Sequence, residues 1–320
     1  MAALTGSAAL AAPADPESFN AGKIDIDRFK GLFPSHIKCV AVLTPASVPG
    51  EEKMRLAVKM LERAGIKVKV MPHTYDKVPK GRKKIPAAKR IADFKAAWND
   101  PEVDMIIPTR GGSGAQDIPP AVDWNELKKR KVILMGNSNI TCLTGPMLSQ
   151  GAGYPIQGPN LGSLASCDDA SLKHLKAVLA GEKPEPVKLT ALRGGDISGK
   201  AYAGHLKLLV QVQRSPFKVD TTGRVLFIEC VRRTPRELKI AFNTLLKEGF
   251  FDKCAGIVFC HFTRCFPDDA AKLKFFEDLT AKVKCPVYYG YPYGHEPAIR
   301  AVDFQRTVVI KDGVLTFEKP

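Results

Sequence analysis

Short apolar runs alternate with amphipathic stretches through the first half of the chain. Four runs have the length and composition of buried strands and lie at residues 39–43, 68–71, 105–107 and 132–135. Three stretches have the spacing of amphipathic helices and lie at residues 51–64, 87–98 and about 121–129. Strands that alternate with helices form a parallel sheet covered on both faces. The first half therefore predicts a parallel α/β domain.

The middle of the chain predicts one helix followed by a connection. The helix covers 171–180, because Asp168 or Asp169 can cap its start and Gly181 can end it. The next segment, 182–186, contains two prolines and cannot continue a helix. It is therefore predicted to link two domains.

The second half has a less regular pattern. Five strands are predicted, at residues 225–228, 257–260, 287–289, 307–310 and 314–317. A helix is predicted at 235–247, and the last two strands are expected to form a hairpin around Asp312 and Gly313. The segment that precedes these elements is rich in glycine and is assigned no strand or helix. Its glycines are Gly194, Gly195, Gly199 and Gly204.

Length and composition support two domains. With 320 residues, of which 45% are hydrophobic, the chain can bury a large core. We predict an N-terminal α/β domain over 21–165, a helix and linker over 166–190, and a C-terminal domain over 191–320. Residues 1–20 are predicted to be a disordered, Ala-rich tail outside the fold.

The start of the chain leaves two interpretations open. Residues 1–14 are almost all small or apolar and end in Ala-Ala-Pro-Ala, like the cleavage region of an export signal without its basic start. They are either a frayed terminus or the remnant of a signal that begins upstream of Met1. No apolar run reaches the ~18–20 residues of a membrane span, so no membrane partner is predicted.

The formal charge of +15 raises the question of a nucleic-acid partner. Basic residues are scattered, with one concentration over 77–90. Nucleic-acid binding favours interleaved aromatic residues, and this run has none after Tyr75. A solvated loop that attracts a carboxylate-rich or phosphate-bearing substrate fits better, and no nucleic-acid partner is predicted.

The cysteines do not predict a metal or redox centre. None of the eight shows the C-x-x-C spacing, although Cys260, His261 and Cys265 lie close in sequence. Cys260 follows an apolar run and is predicted to be a buried thiol that ends a strand. We therefore expect neither a metal nor a cofactor. Scattered free thiols favour a reducing compartment and a cytoplasmic protein, with a periplasmic one as the alternative if an export signal exists.

Two of the predicted strands end in small-residue loops, at 110–114 (Arg-Gly-Gly-Ser-Gly) and 136–139 (Gly-Asn-Ser-Asn). Ligands bind at the carboxyl ends of parallel strands, and a serine on a tight strand-to-helix turn exposes its hydroxyl. Ser138 is thus a candidate nucleophile, with an N-cap role as the alternative. The backbone N–H of Asn139, at a helix start, and one from Gly111 or Gly112 can form an oxyanion hole.

Glu229 and His295 are candidate partners of Ser138. Glu229 ends an apolar run and must be paired, either with a catalytic base or with Arg232 or Arg233. His295 lies in a stiff loop after a predicted strand, where a solvated histidine is the alternative. Together they give the order Ser, Glu, His, which is the order in α/β-hydrolases.

These motifs resemble the LD-carboxypeptidase family of serine peptidases, which includes the microcin C immunity peptidases. The resemblance extends from about residue 38 to 317. Its strongest blocks lie at residues 110–114, 136–141, 158–159, 223–229, 250–261 and 291–295.

The resemblance implies specific roles and a specific architecture. Ser138 is implied as nucleophile, His295 as general base and Glu229 as its orienting carboxylate. The backbone N–H groups of Gly112 and Asn139 are implied as the oxyanion hole. The fold would be a flavodoxin-like domain followed by a smaller, β-barrel-like α/β domain, with the site at their junction. The protein would be a homodimer.

Four positions depart from the family pattern. They are Asn139 in place of Asp, Ser113 in place of an aromatic residue, Cys230 in place of an acidic residue, and His205 in the Gly-Asn-Leu element. No triad member is lost, so the reaction class is expected to survive. The departures lie near the expected pocket, where Gly111, Ser113 and His205 are predicted to bind substrate, so the family's usual substrate is in question.

The predicted function is a serine carboxypeptidase that acts on an L,D-amide bond in small peptides, such as the one before the terminal D-Ala of a murein tetrapeptide. Three alternatives stay open. One is hydrolysis of aminoacyl-nucleotide amides, another is non-catalytic binding of cell-wall peptides, and the third is a basic nucleotide- or nucleic-acid-binding protein. A dinucleotide oxidoreductase is disfavoured, because no G-x-G-x-x-G follows the first strand.

Overall fold

The computed structural model describes residues 25–319. The predicted tail over 1–20 lies outside the described residues. The first half contains β1 (Cys39–Leu43), α1 (Glu51–Arg63), β2 (Lys67–Val70), α2 (Ala87–Asn99), β3 (Met105–Pro108), α3 (Trp124–Leu127), β4 (Ile133–Gly136), α4 (Thr141–Gln150), β5 (Tyr154–Gln157), α5 (Leu161–Leu164) and α6 (Asp169–Leu179).

The second half is richer in strands. It contains β6 (Val187–Lys188), β7 (Thr190–Arg193), β8 (Ile197–His205), α7 (Leu206–Gln213), β9 (Arg224–Val231), α8 (Pro235–Lys247), β10 (Gly256–Thr263), α9 (Asp269–Thr280), β11 (Val287–Tyr289), β12 (Val302–Asp303), β13 (Thr307–Lys311) and β14 (Val314–Phe317). No helix within residues 25–319 combines the length and apolarity needed to cross a bilayer.

The first sheet has the strand order β12-β5-β4-β3-β1-β2. Strands β1 to β5 are mutually parallel in the order 2-1-3-4-5, which is the flavodoxin-like order. Every residue of β1 and β3 is buried, which explains their continuous apolar runs. The predicted flavodoxin-like domain is confirmed. The late strand β12 adds an antiparallel edge through β5.

The second sheet has the order β6-β14-β13-β8-β9-β10-β11-β7. Its four central strands, β8 to β11, run parallel, and antiparallel strands flank them. The sheet curves into a nearly closed barrel, as expected for the second domain. Asp312 and Gly313 turn the β13–β14 hairpin with φ angles of 50° and 73°, the left-handed values that such a tight turn requires.

The predicted elements are all present, with small shifts at their ends, but some were predicted at the wrong length or missed. The helix expected at about 121–129 contracts to α3, because Asp123 caps it at Trp124 and the basic run over 128–131 has no apolar face to bury. The predicted linker ends in β6, which pairs with β14. The glycine-rich segment before β9 contains the long strand β8. The sequence pattern also failed to predict β5, α7 and α9.

Candidate active site

Ser138 lies on a sharp turn at the carboxyl end of β4. Its φ is 58°, in the left-handed region that residues with a Cβ rarely adopt. Asn137 occupies the N-cap position of the short turn over 138–140 that leads into α4, so Ser138 is not the cap. Ser138 is only half-buried. A strained turn at a strand end presents a hydroxyl as a nucleophile requires.

Two buried asparagines support this turn. The Asn160 side-chain oxygen accepts from the Asn137 backbone N–H at 3.3 Å, and its amide donates to the Asn137 side-chain oxygen. The Asn137 amide donates to the Gly294 carbonyl at 2.9 Å. Because Gly294 directly precedes His295, this hydrogen bond joins the serine turn to the histidine loop.

The glycine loop after β3 approaches the serine turn closely. A Cβ on Gly111 would lie 2.7 Å from Ser138 Cβ and 3.2 Å from the Asn139 backbone nitrogen, so the contact requires glycine. Gly112 has a φ of 110°, and a Cβ there would lie 2.2 Å from Ser47 Oγ. The Gly112 N–H donates to no backbone carbonyl within residues 25–319. The Gly111 backbone and the Asn139 backbone nitrogen therefore lie close to the Ser138 side chain.

A buried cation holds the far end of the glycine loop. Arg90 on α2 is 1% exposed, donates to the carbonyls of Pro45 and Gly114, and pairs with Asp117. The basic run over 77–90 was expected to be solvated, and for Arg90 that expectation was wrong. Arg90 lies one helical turn before the buried Phe94, so its place on the apolar face of α2 was a signal in the sequence.

Glu229 and His295 form a buried acid–imidazole pair. Glu229 is fully buried within β9, and its Oε2 accepts from His295 Nδ1 at 2.9 Å. Arg233, an alternative partner of Glu229 in the sequence, instead pairs with Glu237. Because Nδ1 is engaged, Nε2 is the nitrogen of His295 that can accept a proton.

The electrostatics of this pair favour a basic imidazole. Burial opposes the charge on Glu229, but the charge of His295 and its hydrogen bond outweigh burial and lower the pKa of Glu229. Burial likewise opposes charge on His295, yet Glu229 outweighs it and raises the pKa of His295 above its ordinary 6.5. Burial lowers the pKa of His205 to about 4, so that ring stays neutral.

The histidine loop is anchored on both domains. Gly294 has a φ of 147°, and a Cβ there would lie 2.9 Å from His261 Cβ and 3.4 Å from Glu229 Oε2. The hydroxyl of the buried Tyr293 donates to Gln157 on β5 at 2.6 Å. These contacts fix the loop between the two sheets.

The serine and histidine side chains are not hydrogen-bonded to each other. Within residues 25–319, no hydrogen bond joins the Ser138 hydroxyl to the His295 ring, and the two residues are connected through Asn137 and Gly294. Catalytic hydrogen bonds are often long in the absence of substrate and tighten when it binds. The three candidate residues thus belong to adjoining segments at one junction.

Two positions that depart from the family pattern contact each other. Cys230 Sγ lies 3.5 Å from His205 Nε2, and the His205 ring packs edge-on against His295 with centroids 6.1 Å apart. His205 is only 6% exposed, so it is shielded from solvent. A touching Cys–His pair therefore replaces the asparagine and acidic residue expected there.

The other two departures are more conservative. The buried Asn139 side chain accepts from the Ala115 N–H at 2.9 Å, a bond that aspartate can also accept. Ser113 is exposed, and its backbone N–H donates to Ser47 Oγ at 3.2 Å. Asn139 thus braces the glycine loop through its side chain.

A shallow, open cavity lined by basic residues lies at the surface near the end of β9. It has a volume of about 400 Å³, and its lining includes Arg232, Arg233 and Arg264. The Arg232 N–H donates to the Thr263 carbonyl at 2.9 Å, so the ends of β9 and β10 frame the cavity. The Arg232 charge also acts on the pKa of His295. The ends of β9 and β10 therefore bring three arginines together near His295.

No metal site accompanies this arrangement in the part of the chain that the structure describes, where no three His, Cys, Asp or Glu residues are grouped to hold an ion. Cys260 is buried, as predicted, but it lies within β10, which continues to Thr263, and does not end the strand.

Fold and site together define a two-domain α/β protein with a flavodoxin-like domain, a barrel-like domain, and a strained serine near a Glu–His pair at their junction. The chain matches the LD-carboxypeptidase N-terminal domain over residues 40–158 and the LD-carboxypeptidase C-terminal domain over residues 198–310. The chain belongs to the LD-carboxypeptidase family.

Individual relatives are distant but cover most of the chain. It is 29% identical to the probable murein peptide carboxypeptidase of Bacillus subtilis (strain 168), over 89% of this chain and 98% of that protein. It is 23% identical to the microcin C7 self-immunity protein MccF of Escherichia coli, over 86% of this chain and 92% of that protein. The muramoyltetrapeptide carboxypeptidase structure from Oxalobacter formigenes has a TM-score of 0.77 at 20% identity, over 88% of this chain and all 100% of that one.

Proposed function

We propose that the protein is a serine carboxypeptidase that hydrolyses an L,D-amide bond in a small peptide and releases terminal D-Ala from murein tetrapeptide. One observation carries the proposal. His295, which is paired with Glu229 on β9, lies on a loop whose Gly294 is hydrogen-bonded to Asn137, the residue preceding the strained Ser138. This is the set of groups that acyl transfer by a serine needs.

In the proposed reaction, His295 Nε2 takes the proton from Ser138 as its Oγ attacks the scissile carbonyl. Glu229 holds the imidazole in the required tautomer and stabilises its charged form. The backbone N–H groups of Gly112 and Asn139 stabilise the oxyanion. His295 then protonates the leaving amine, and water resolves the acyl-enzyme.

The substrate class is supported by charge and by the relatives. Murein peptides carry several carboxylates, and the cavity beside His295 is lined by three arginines. Gly111, Ser113 and His205 are proposed to shape the pocket, with His205 acting from behind the His295 ring. The names of the relatives from Bacillus subtilis and Oxalobacter formigenes refer to murein peptides or muramoyltetrapeptide.

Mass spectrometry of reaction products tests this proposal. The protein is incubated with an L,D-tetrapeptide, the matching tripeptide and a D,D-pentapeptide, beside the Ser138→Ala variant. We expect release of D-Ala from the tetrapeptide alone, and only with the unmodified protein. Equal inertness of protein and variant on every amide would reject the enzyme and favour a non-catalytic binder.

A second candidate activity is hydrolysis of an aminoacyl-nucleotide amide. The similarity to a microcin C7 self-immunity protein favours it, and so does the basic cavity, which suits a phosphate-like group as well as a carboxylate. An aminoacyl-sulfamoyl adenosine added to the same panel separates the two activities. Faster cleavage of that compound than of the tetrapeptide would reassign the substrate.

The close approach of Gly111 leads to a mutational prediction. Gly111→Ala is expected to lower kcat by at least ~100-fold, because the new methyl displaces the Ser138 side chain. Gly50→Ala is the matched control, since nothing lies within 4 Å of a Cβ there. Steady-state kinetics and thermal midpoints are measured for both. Unchanged kcat in a folded Gly111→Ala protein would exclude the close approach.

The raised pKa of His295 predicts an acid limb in the activity profile. His295 accepts the serine proton only when neutral, so kcat/KM should fall as the pH is lowered through an apparent pKa above 6.5. Glu229 causes the rise, so Glu229→Gln should move the limb to lower pH. Profiles of both proteins from about pH 5 to 9 check this, and an unmoved limb would argue against the pairing.

The family resemblance also motivates a proposed homodimer. Sedimentation equilibrium of the full chain tests the dimer, and a monomer at micromolar concentration would reject it.

The eight cysteines are all free thiols, which supports the proposal of a cytoplasmic protein.

A further inference from the structure

Two cysteines outside the candidate site contact each other at the opposite end of the strands of the second sheet. Cys254 Sγ lies 3.5 Å from Cys285 Sγ. Cys254 comes just before β10 and Cys285 just before β11, and these strands are parallel neighbours. Both thiols therefore lie at the amino ends of the strands, whereas His261 and the candidate site lie toward the carboxyl ends.

The two thiols have different environments. Cys285 is half-buried, and the hydrogen bond from Cys254, with help from the charge of Arg193, lowers its pKa despite burial. Cys254 is 8% exposed, and its contact with Cys285 together with burial raises its pKa. An accessible thiol in an electropositive surrounding is the reactive one, and a covered thiol beside it can resolve its oxidised form.

Most of the remaining cysteines lack this combination. Burial raises the pKa of Cys142 and of Cys167 to about 12. Cys260 is buried, which also raises its pKa. Cys230 and Cys265 form a similar pair, in which the hydrogen bond with Cys230 lowers the pKa of Cys265, but both thiols are buried and Cys265 belongs to the cavity near His295. Cys285 is the only one of the eight cysteines that is not buried, all eight lying within residues 25–319, and it belongs to the Cys254–Cys285 contact.

We infer that Cys254 and Cys285 form a reversible disulfide when the protein meets a hydroperoxide. The Cys285 thiolate attacks the peroxide oxygen, giving a sulfenic acid and, from hydrogen peroxide, water. The Cys254 sulfur then attacks the Cys285 sulfur, forming the S–S bond and releasing a second water. Two electrons and two protons pass from the thiols to the peroxide, and a dithiol returns them.

The cross-link has a defined consequence for stability. It joins residues that are 31 positions apart, a segment that contains β10 and α9. Closing that loop restricts the unfolded chain, so we expect the thermal midpoint to rise by about 5 °C. Catalysis should change little, because the thiols lie at the far end of the strands from His295.

Peptide mapping of the full chain tests the inference. The folded protein is treated with a small excess of hydrogen peroxide, free thiols are alkylated, and tryptic peptides are analysed without reduction. We expect one linked species joining peptides 254–264 and 285–300, which a dithiol removes. Fragment ions distinguish Cys254 from Cys260 within the first peptide.

Three variants provide controls. Cys254→Ser and Cys285→Ser should each lose the linked species and the rise in thermal midpoint, whereas Cys167→Ala should keep both. In wild-type protein, full alkylation of Cys254 and Cys285 after oxidation would overturn the inference. A link between Cys230 and Cys265 in its place would overturn it as well. The wild-type map decides the question even if a variant fails to fold.

Discussion

Ser138→Ala is expected to lower kcat on an L,D-tetrapeptide by at least about 10⁴-fold while the protein stays folded. The change removes the only atom proposed to bond covalently to substrate. The hydrogen-bond donors of the proposed oxyanion hole and the substrate-binding groups alone would support only a small residual rate. Replacement of a residue with a φ of 58° by alanine retains the same backbone strain, so stability should change little. Steady-state kinetics and thermal unfolding measure both effects.

Ser149→Ala is the matched control for this variant. Ser149 lies on α4, the helix that follows the serine turn, and its hydroxyl accepts a hydrogen bond from the Gln150 amide at 3.4 Å. It should retain nearly full activity. If Ser138→Ala kept kcat within tenfold of the wild type, a mechanism through an acyl-serine would be excluded.

Glu229→Gln is expected to lower kcat by about 10⁴-fold with little change in KM. The amide has nearly the same shape, but it no longer stabilises the imidazolium and can present N–H where Nδ1 needs an acceptor. His295 would then adopt the tautomer with its proton on Nε2, which cannot accept the serine proton. Kinetics with a saturating tetrapeptide measure the loss.

Glu296→Gln is the control for this second variant. Glu296 follows His295 in the same loop, but its carboxylate accepts from Thr263 at 3.1 Å, a bond that glutamine also accepts. We expect kcat within a few-fold of wild type. Wild-type kcat in a folded Glu229→Gln protein would show that the carboxylate does not orient the base.

Much of the fold follows from local pattern, because buried parallel strands and amphipathic helices leave strong periodic signals. The strand β8 could not be predicted from its local pattern, because it has glycine at a position where another part of the backbone lies very close. A Cβ on Gly199 would lie 2.1 Å from the Gly223 carbonyl oxygen. The requirement comes from a partner strand that is distant in sequence, and the strand therefore resembles a loop.

The residues of the candidate site could be predicted where a reactive side chain lies near the end of a predicted strand. Ser138, Glu229 and His295 stand out because each is a reactive residue near the end of a predicted strand. Asn137 and Asn160 do not stand out, because their roles depend on hydrogen bonds across the fold. The contact between His205 and Cys230 is likewise tertiary, so their departures from the family appeared unrelated in the sequence.

Labelling with a fluorophosphonate tests the central claim most directly, because the reagent forms a covalent bond only with a serine that is activated as a nucleophile. The account predicts one adduct per chain, located at Ser138 by fragment-ion sequencing, absent from Ser138→Ala and formed much more slowly in Glu229→Gln. A folded protein that remains unlabelled, or one labelled at a different serine, would contradict it.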